Sequence, residues 1–165
     1  MKKIIFVLAS LLILVGCATN KPAEAAVENV PFEVAKNYFF KNNQTIPASP
    51  KITTAEAFDQ LFGMAAFMGK DGQPTAIDFD KQFVLAIVLP VTDVATEIIP
   101  VKVEAKDNQL FYSYEVKTGE QQSFTIQPVS IIILDKQFEN YEVILINEQL
   151  MQDNMKEVQA YLKEC

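Results

Sequence analysis

Four carboxylates stand in pairs at spacings that can serve chemistry: Asp78 and Asp80 in DFD, and Asp93 and Glu97 in VTDVATE. Two carboxylates on one side of a strand start can act as an acid/base pair or supply part of an oxygen shell for Ca²⁺. The plain reading of both pairs is solvated turn residues. The functional reading is a candidate binding rim of Asp78, Asp80, Asp93 and Glu97. Neither pair sits in a complete calcium loop, so no metal, no cofactor and no catalytic residue is expected. Tyr112 and Tyr114 lie two apart and share one face of a strand. Exposed, they would form a platform for carbohydrate or peptide. Buried, they are core aromatics with bonded hydroxyls, which is the expectation here.

The missing residue types limit the chemistry further. The chain has no His, no Arg and no Trp, and all 14 basic side chains are Lys. Without His, the Ser-His-Asp and Cys-His nucleophiles and His-bearing zinc sites are excluded. Without Arg, bidentate clamps on phosphate or carboxylate are excluded. Catalysis would have to use Asp, Glu, Lys, Tyr, Ser or Thr. The formal net charge is −7. An acidic surface argues against a nucleic-acid partner, because neutralising phosphates dominates that binding. It also argues against electrostatic attachment to anionic lipid.

The first residues carry an address. Lys2 and Lys3 precede Ile4 to Val15, which is apolar but for Ser10, and Gly16 and Cys17 follow. A basic start, a short apolar run and a small residue before the cut are the parts of a secretory signal peptide. The run is shorter than the roughly 20 residues a spanning helix needs. Leu14-Val15-Gly16-Cys17 resembles the lipobox of bacterial lipoproteins. That resemblance implies diacylglyceryl transfer to the Cys17 thiol, cleavage after Gly16 and acylation of the new amino terminus. Several acyl chains hold a protein at a bilayer without spanning it. The expectation is a lipid-anchored, extracytoplasmic protein of the cell envelope, at the outer membrane or cell surface. Cys165 is then the one free thiol, read as a frayed terminal residue, and no intrachain disulfide can form.

Three segments follow: a signal peptide over 1–16, the lipidated Cys and a flexible tether over 17–29, and a single β-rich domain over 30–165. Even spacing of Phe32, Val34, Tyr38 and Phe40 favours a strand over Val30 to Phe40, with a short helix as the alternative, and NNQTIPASP over 42–50 is a loop. Asn43-Gln44-Thr45 matches a glycosylation sequon, read as chance. Thr53 and Glu56 have capping-box spacing, and Phe58, Leu61, Phe62 and Ala65 recur with helical period. GKDGQP over 69–74 is a turn. FVLAIVL over 83–89 is an unbroken apolar run, as in a strand covered on both faces. Pro100 marks an edge or bulge, Asp107-Asn108 a hairpin turn, and KTGE over 117–120 a further turn. More short strands follow up to Ile146, and a helix over about 148–163 carries Leu150, Met151, Met155, Val158 and Leu162 on one stripe, expected to pack on the sheet, with a partner-binding helix as the alternative. The pattern predicts an α+β fold: a mostly antiparallel β-sandwich or small barrel with an N-terminal helix and a C-terminal helix.

ITTAEAFDQLF, PTAIDFDKQFVLAIVL and FTIQPVSIIIL carry a family likeness between Ile52 and Ile146. The shared shape is a helix, an IDF strand entry, a buried strand and a late Gln-Pro before another strand. The segment is similar to small uncharacterised bacterial lipoproteins. More distantly it resembles the β-rich domain of the protease-complex-stabilising subunit family (the PrcB type). The resemblance implies a non-catalytic domain that binds and stabilises a protein partner, alongside membrane lipid held through Cys17. Two other classes compete: a carboxylate-based glycan hydrolase, which needs two carboxylates facing one cleft, and a small-ligand binder, which needs an apolar pocket in the sandwich.

Overall fold

The computed structural model describes residues 26–69 and 72–164, with side chains in the last helix as far as Lys156 and at Gln159. The lipobox, Cys17, most of the tether, Cys165 and the side chains of Val158 and Leu162 lie outside the described residues.

The centre of the fold is one long two-stranded ribbon bent over on itself. Its arms are β6 (Gln82–Val88) running into β7 (Thr92–Lys106), and β8 (Gln109–Ile126) running into β9 (Val129–Asp135). The turn at its tip is Asp107-Asn108, joining Lys106 to its partner Gln109. Both turn residues have positive φ, 51° and 61°. That is the geometry of a two-residue hairpin whose twist matches the strands, and short polar side chains tolerate it. At the bend, Leu89 donates its N–H to Pro128 O at 3.0 Å. This bond carries the pairing from Val88↔Val129 towards Thr92↔Ile126. Pro90 and Pro128 flank the bend, and neither can donate to a ladder.

The bend creates two sheets. One has the order β1 (Glu28–Asn29), β7, β8, β10 (Glu142–Asn147), and the other β2 (Glu33–Ala35), β9, β6, β4 (Lys51–Ile52). Phe83, Leu85 and Ile87 from β6 and Ile132 and Leu134 from β9 meet Ile98, Val103, Leu110 and Tyr112 from the facing sheet. The opposite face of β6 and β9, with Val84, Ala86, Val88, Ile131 and Ile133, is covered by Phe40, Ile52, Phe58 and Phe62. Covering on both faces is why Phe83 to Val88 reads as a continuous apolar run although its neighbours are antiparallel. The sheets stay open, so the fold is a sandwich with two α-helices and not a closed barrel.

The second cover consists of α1 (Ala55–Leu61) and a small sheet of β3 (Tyr38–Phe40) with β5 (Phe62–Met64). Phe58 is its hub: its ring centroid lies 5.1 Å from Tyr38, 4.9 Å from Phe62 and 5.7 Å from Phe79. Gly63 leaves the space that the Phe39 ring occupies, since a Cβ there would come within 2.4 Å of it.

Several local expectations shift. The N-cap of α1 is Thr54, whose Oγ1 accepts from Ala57 N–H at 3.2 Å, so the box built on Thr53 is one residue early. The helix stops at Leu61 because Phe62 pairs with Phe40 as strand. Glu28–Asn29 pairs with β7, inside the stretch expected to be tether. KTGE is not a turn: it lies within β8, where Lys117 faces Glu97 and Thr118 faces Thr96. The bulge expected near Pro100 is present, with Val101 as the extra residue between Pro100↔Tyr114 and Lys102↔Ser113. Tyr112 is fully buried and Tyr114 packs beside it, so both are core aromatics. The Tyr112 hydroxyl makes no hydrogen bond of full geometry, but the Ser130 side chain stands close enough to act on it. The stripe on α2 (Glu148–Glu164) does not pack on the sheet where it is described: Leu150, Met151 and Met155 are 61%, 48% and 56% exposed.

Candidate functional site

The four predicted rim carboxylates fall at two places. Asp78 and Asp80 lie in the turn that enters β6. Asp78 accepts from Lys81 Nζ at 3.0 Å and from Asp80 N–H at 3.1 Å. The Lys81 hydrogen bond holds the Asp78 carboxyl below its usual range, and Asp78 in turn raises the Lys81 ammonium. All three side chains are exposed, so this is a solvated turn pair of small energetic weight. Asp93 and Glu97 lie beyond the far end of β6, on β7. The seven residues of β6 and the bend after it separate the two pairs along the chain. Asp93 accepts from Gln121 Nε2 at 2.8 Å, across the ribbon. Among the described residues no group of three or more His, Cys, Asp or Glu side chains is placed to hold a metal ion. None of the main clefts among the described residues takes its lining from both pairs, so the shared cleft that a carboxylate hydrolase requires is not found there.

Glu97 does line a cleft. The inner halves of β7 and β8 supply core residues from Ile98 and as far as Tyr112, whereas Thr92–Glu97 and Lys117–Ile126 supply none. β10 accompanies β8 only from Gln109 to Tyr114, and β1 accompanies β7 only at Glu104 and Ala105. Among the described residues, the outer ribbon therefore has no third strand. An open cleft of about 500 Å³ lies on it, lined by Ala95, Thr96, Glu97, Lys117, Thr118, Gly119, Gln122, Phe124 and Ile126.

The chemistry of this cleft suits contact more than reaction. Phe124 presents its ring to solvent at 58% exposure. Glu97 and Lys117, directly opposed across the ladder, put one charge of each sign at the rim. The side-chain oxygen of Gln122 is buried and accepts no hydrogen bond. Extra residues in β8 near Thr118 to Ile126 break the ladder register and shape the concavity. Of the residues singled out from sequence only Glu97 belongs here. Gln122 and Phe124 were not legible: Phe124 alternates with Ser123 and Thr125 as an inward strand residue would.

The inter-sheet space is filled by Phe83, Leu85, Val103, Leu110, Tyr112 and Ile132, each fully buried. The clefts at Glu97, Lys36, Met151, Gln82 and Asp59 are all surface features and take no lining from those six residues. Among the described residues no helix is long and apolar enough to cross a membrane. No protein-family model, no curated protein and no solved structure matches the chain.

Proposed function

We propose that this protein is a membrane-anchored envelope lipoprotein that binds a protein partner without catalysing a reaction, through the outer half of the β7–β8 ribbon. The observation that carries the binding part is the cleft at Phe124, Gln122, Glu97 and Lys117 on a ribbon with no third strand. An exposed aromatic ring and one charge of each sign suit recognition of a polypeptide surface. A ribbon edge with no third strand among the described residues offers a partner a ladder to join. The anchor rests on Leu14-Val15-Gly16-Cys17 in the sequence. The resemblance to the protease-complex-stabilising family points to the same kind of role. Anchoring would raise the local concentration of the domain for partners at the same membrane.

A photo-crosslinking residue at position 124 of the full chain, expressed in its native membrane, tests this reading. The expected outcome is a discrete protein adduct from position 124 and none from position 140, a polar surface site away from the ribbon. In a Cys17→Ala background the protein should leave the membrane fraction and the adduct should fall with it. No adduct at 124, or the same diffuse adducts at both positions, overturns the binding role. Tight membrane association of Cys17→Ala overturns the anchor.

A further inference from the structure

The segment that leaves β5 is the most apolar exposed stretch of the described chain. From Gln60 to Gly69 the sequence QLFGMAAFMG carries no charged side chain. Leu61 and Phe62 face the packed cover, but Met64 is 68% exposed, Phe67 55% and Met68 fully exposed. Three large apolar side chains within five residues, with no partner among the described residues, are unlike the single exposed apolars that any surface carries.

The stretch is held in place. Ala65 N–H donates to Asn37 O at 2.8 Å, and Phe67 N–H to Gly72 O at 3.0 Å. Behind it, Asn37 Nδ2 donates to Gln73 O at 2.8 Å and the Tyr38 hydroxyl to Thr75 O at 2.6 Å. These bonds satisfy backbone groups that would otherwise resist removal from water, while leaving the Met64, Phe67 and Met68 side chains outward.

We infer that Met64, Phe67 and Met68 insert into the interfacial layer of a lipid bilayer and set the orientation of the domain on the membrane. This rests on the anchored reading above. The occupant follows from the chain outside the described residues. From Cys17 to Ala25 the tether extends at most about 3.3–3.6 Å per residue, some 30 Å in all. That reach is comparable with the width of a domain of this size, whose radius of gyration is about 14 Å. A lipid-bound Cys17 therefore leaves the segment able to reach the same bilayer. Charge selects the mode of contact. With a net charge of −7, which becomes −9 once Lys2 and Lys3 leave with the signal peptide, and no charge between Asp59 and Lys70, the attraction is apolar and operates on zwitterionic lipid. Phe and Met suit the boundary, since both bury large surfaces and Met adapts to irregular surroundings.

The test uses the lipidated full chain reconstituted in phosphatidylcholine vesicles. Met68→Cys in a Cys165→Ser background is labelled with a polarity-sensitive dye, and Asn140→Cys serves as the aqueous reference. Because Met68 is fully exposed, the label does not disturb packing. The expected result is flotation with the vesicles, blue-shifted emission at 68, and loss of most of that emission to a nitroxide on the lipid chains, with none of this at 140. Flotation with a dye at 68 as wet as that at 140 overturns the insertion alone and leaves the segment to a protein surface. Failure to float overturns both the anchor and the insertion, since neither then holds the domain to lipid.

Discussion

Tyr112 brings a hydroxyl into the fully packed space between the sheets, where the nearby Ser130 side chain acts on it without a hydrogen bond of full geometry. Burial pushes its pKa up to about 12; the Ser130 hydroxyl works against the rise and Tyr114 adds a little to it. The folded pKa is raised, so the related stability is complete below pH 10, the unfolded value, and is lost as pH rises through about 12. A two-unit rise corresponds to about 2–3 kcal/mol at most. Tyr112→Phe removes the unmatched polar atom and the titration together. The expected outcome in urea unfolding is no loss, or a gain of up to about 1 kcal/mol, at pH 7, with a flatter decline above pH 10. A loss above about 1 kcal/mol at pH 7 would show that the hydroxyl is engaged. The position of Tyr112 was legible from its alternation with Phe111 and Ser113. The fate of its hydroxyl was not, because that depends on what the facing sheet brings to it. Residue type likewise singled out Asp78, Asp80, Asp93 and Glu97, but which of them meet is decided by the path of β6 between the two pairs.

At the scale of elements, the long α2 presents the sharpest contrast between pattern and packing. Its stripe has the period of a buried helix, yet Leu150, Met151 and Met155 face solvent. Periodicity shows that a helix has an apolar side and does not show what covers it. Replacing all three residues by Ala should therefore lower the stability of the sandwich by less than about 1.5 kcal/mol in total, as for surface sites. If they were core residues, each would cost about 2–5 kcal/mol, and a loss of that size in thermal or urea unfolding would place the stripe against the domain. Elsewhere the strong local signals carried through. The apolar run of β6, the Asp107-Asn108 turn and the Pro100 bulge each follow from backbone chemistry that acts within a few residues. KTGE misled because Gly and polar residues at an exposed, irregular stretch of strand have the composition of a turn. α1 ends early because β3 captures Phe62, a pairing made across more than twenty residues of sequence.

At the scale of the whole molecule, the bent ribbon explains both the parallel strand and the distribution of stability. β9 ends level with the start of β6, at Asp135↔Gln82, and the short helical turn Lys136–Phe138 carries the chain across to the other sheet. There Glu142 N–H bonds Asn108 O at 3.0 Å, and β10 has no direction open to it except alongside β8, parallel. No local signal announces such a crossing, so an antiparallel sandwich was legible and this one parallel edge was not. The same architecture puts β6 and β9 under cover on both faces, while the outer half of the ribbon has, among the described residues, neither core residues nor a third strand. Opening a segment costs the burial and pairing it alone maintains, so protection should follow this division. In hydrogen exchange under native conditions, amides of Phe83–Val88 and Ile131–Leu134 should exchange only through global unfolding. Those of Val94–Glu97 and Lys117–Phe124 should exchange through local opening, at rates orders of magnitude faster and insensitive to low denaturant. Binding of the partner proposed for this edge should then slow the second set and leave the first unchanged. Equal protection of both sets in the free protein would mean that the ribbon is covered along its length, and would remove the surface on which the binding role depends.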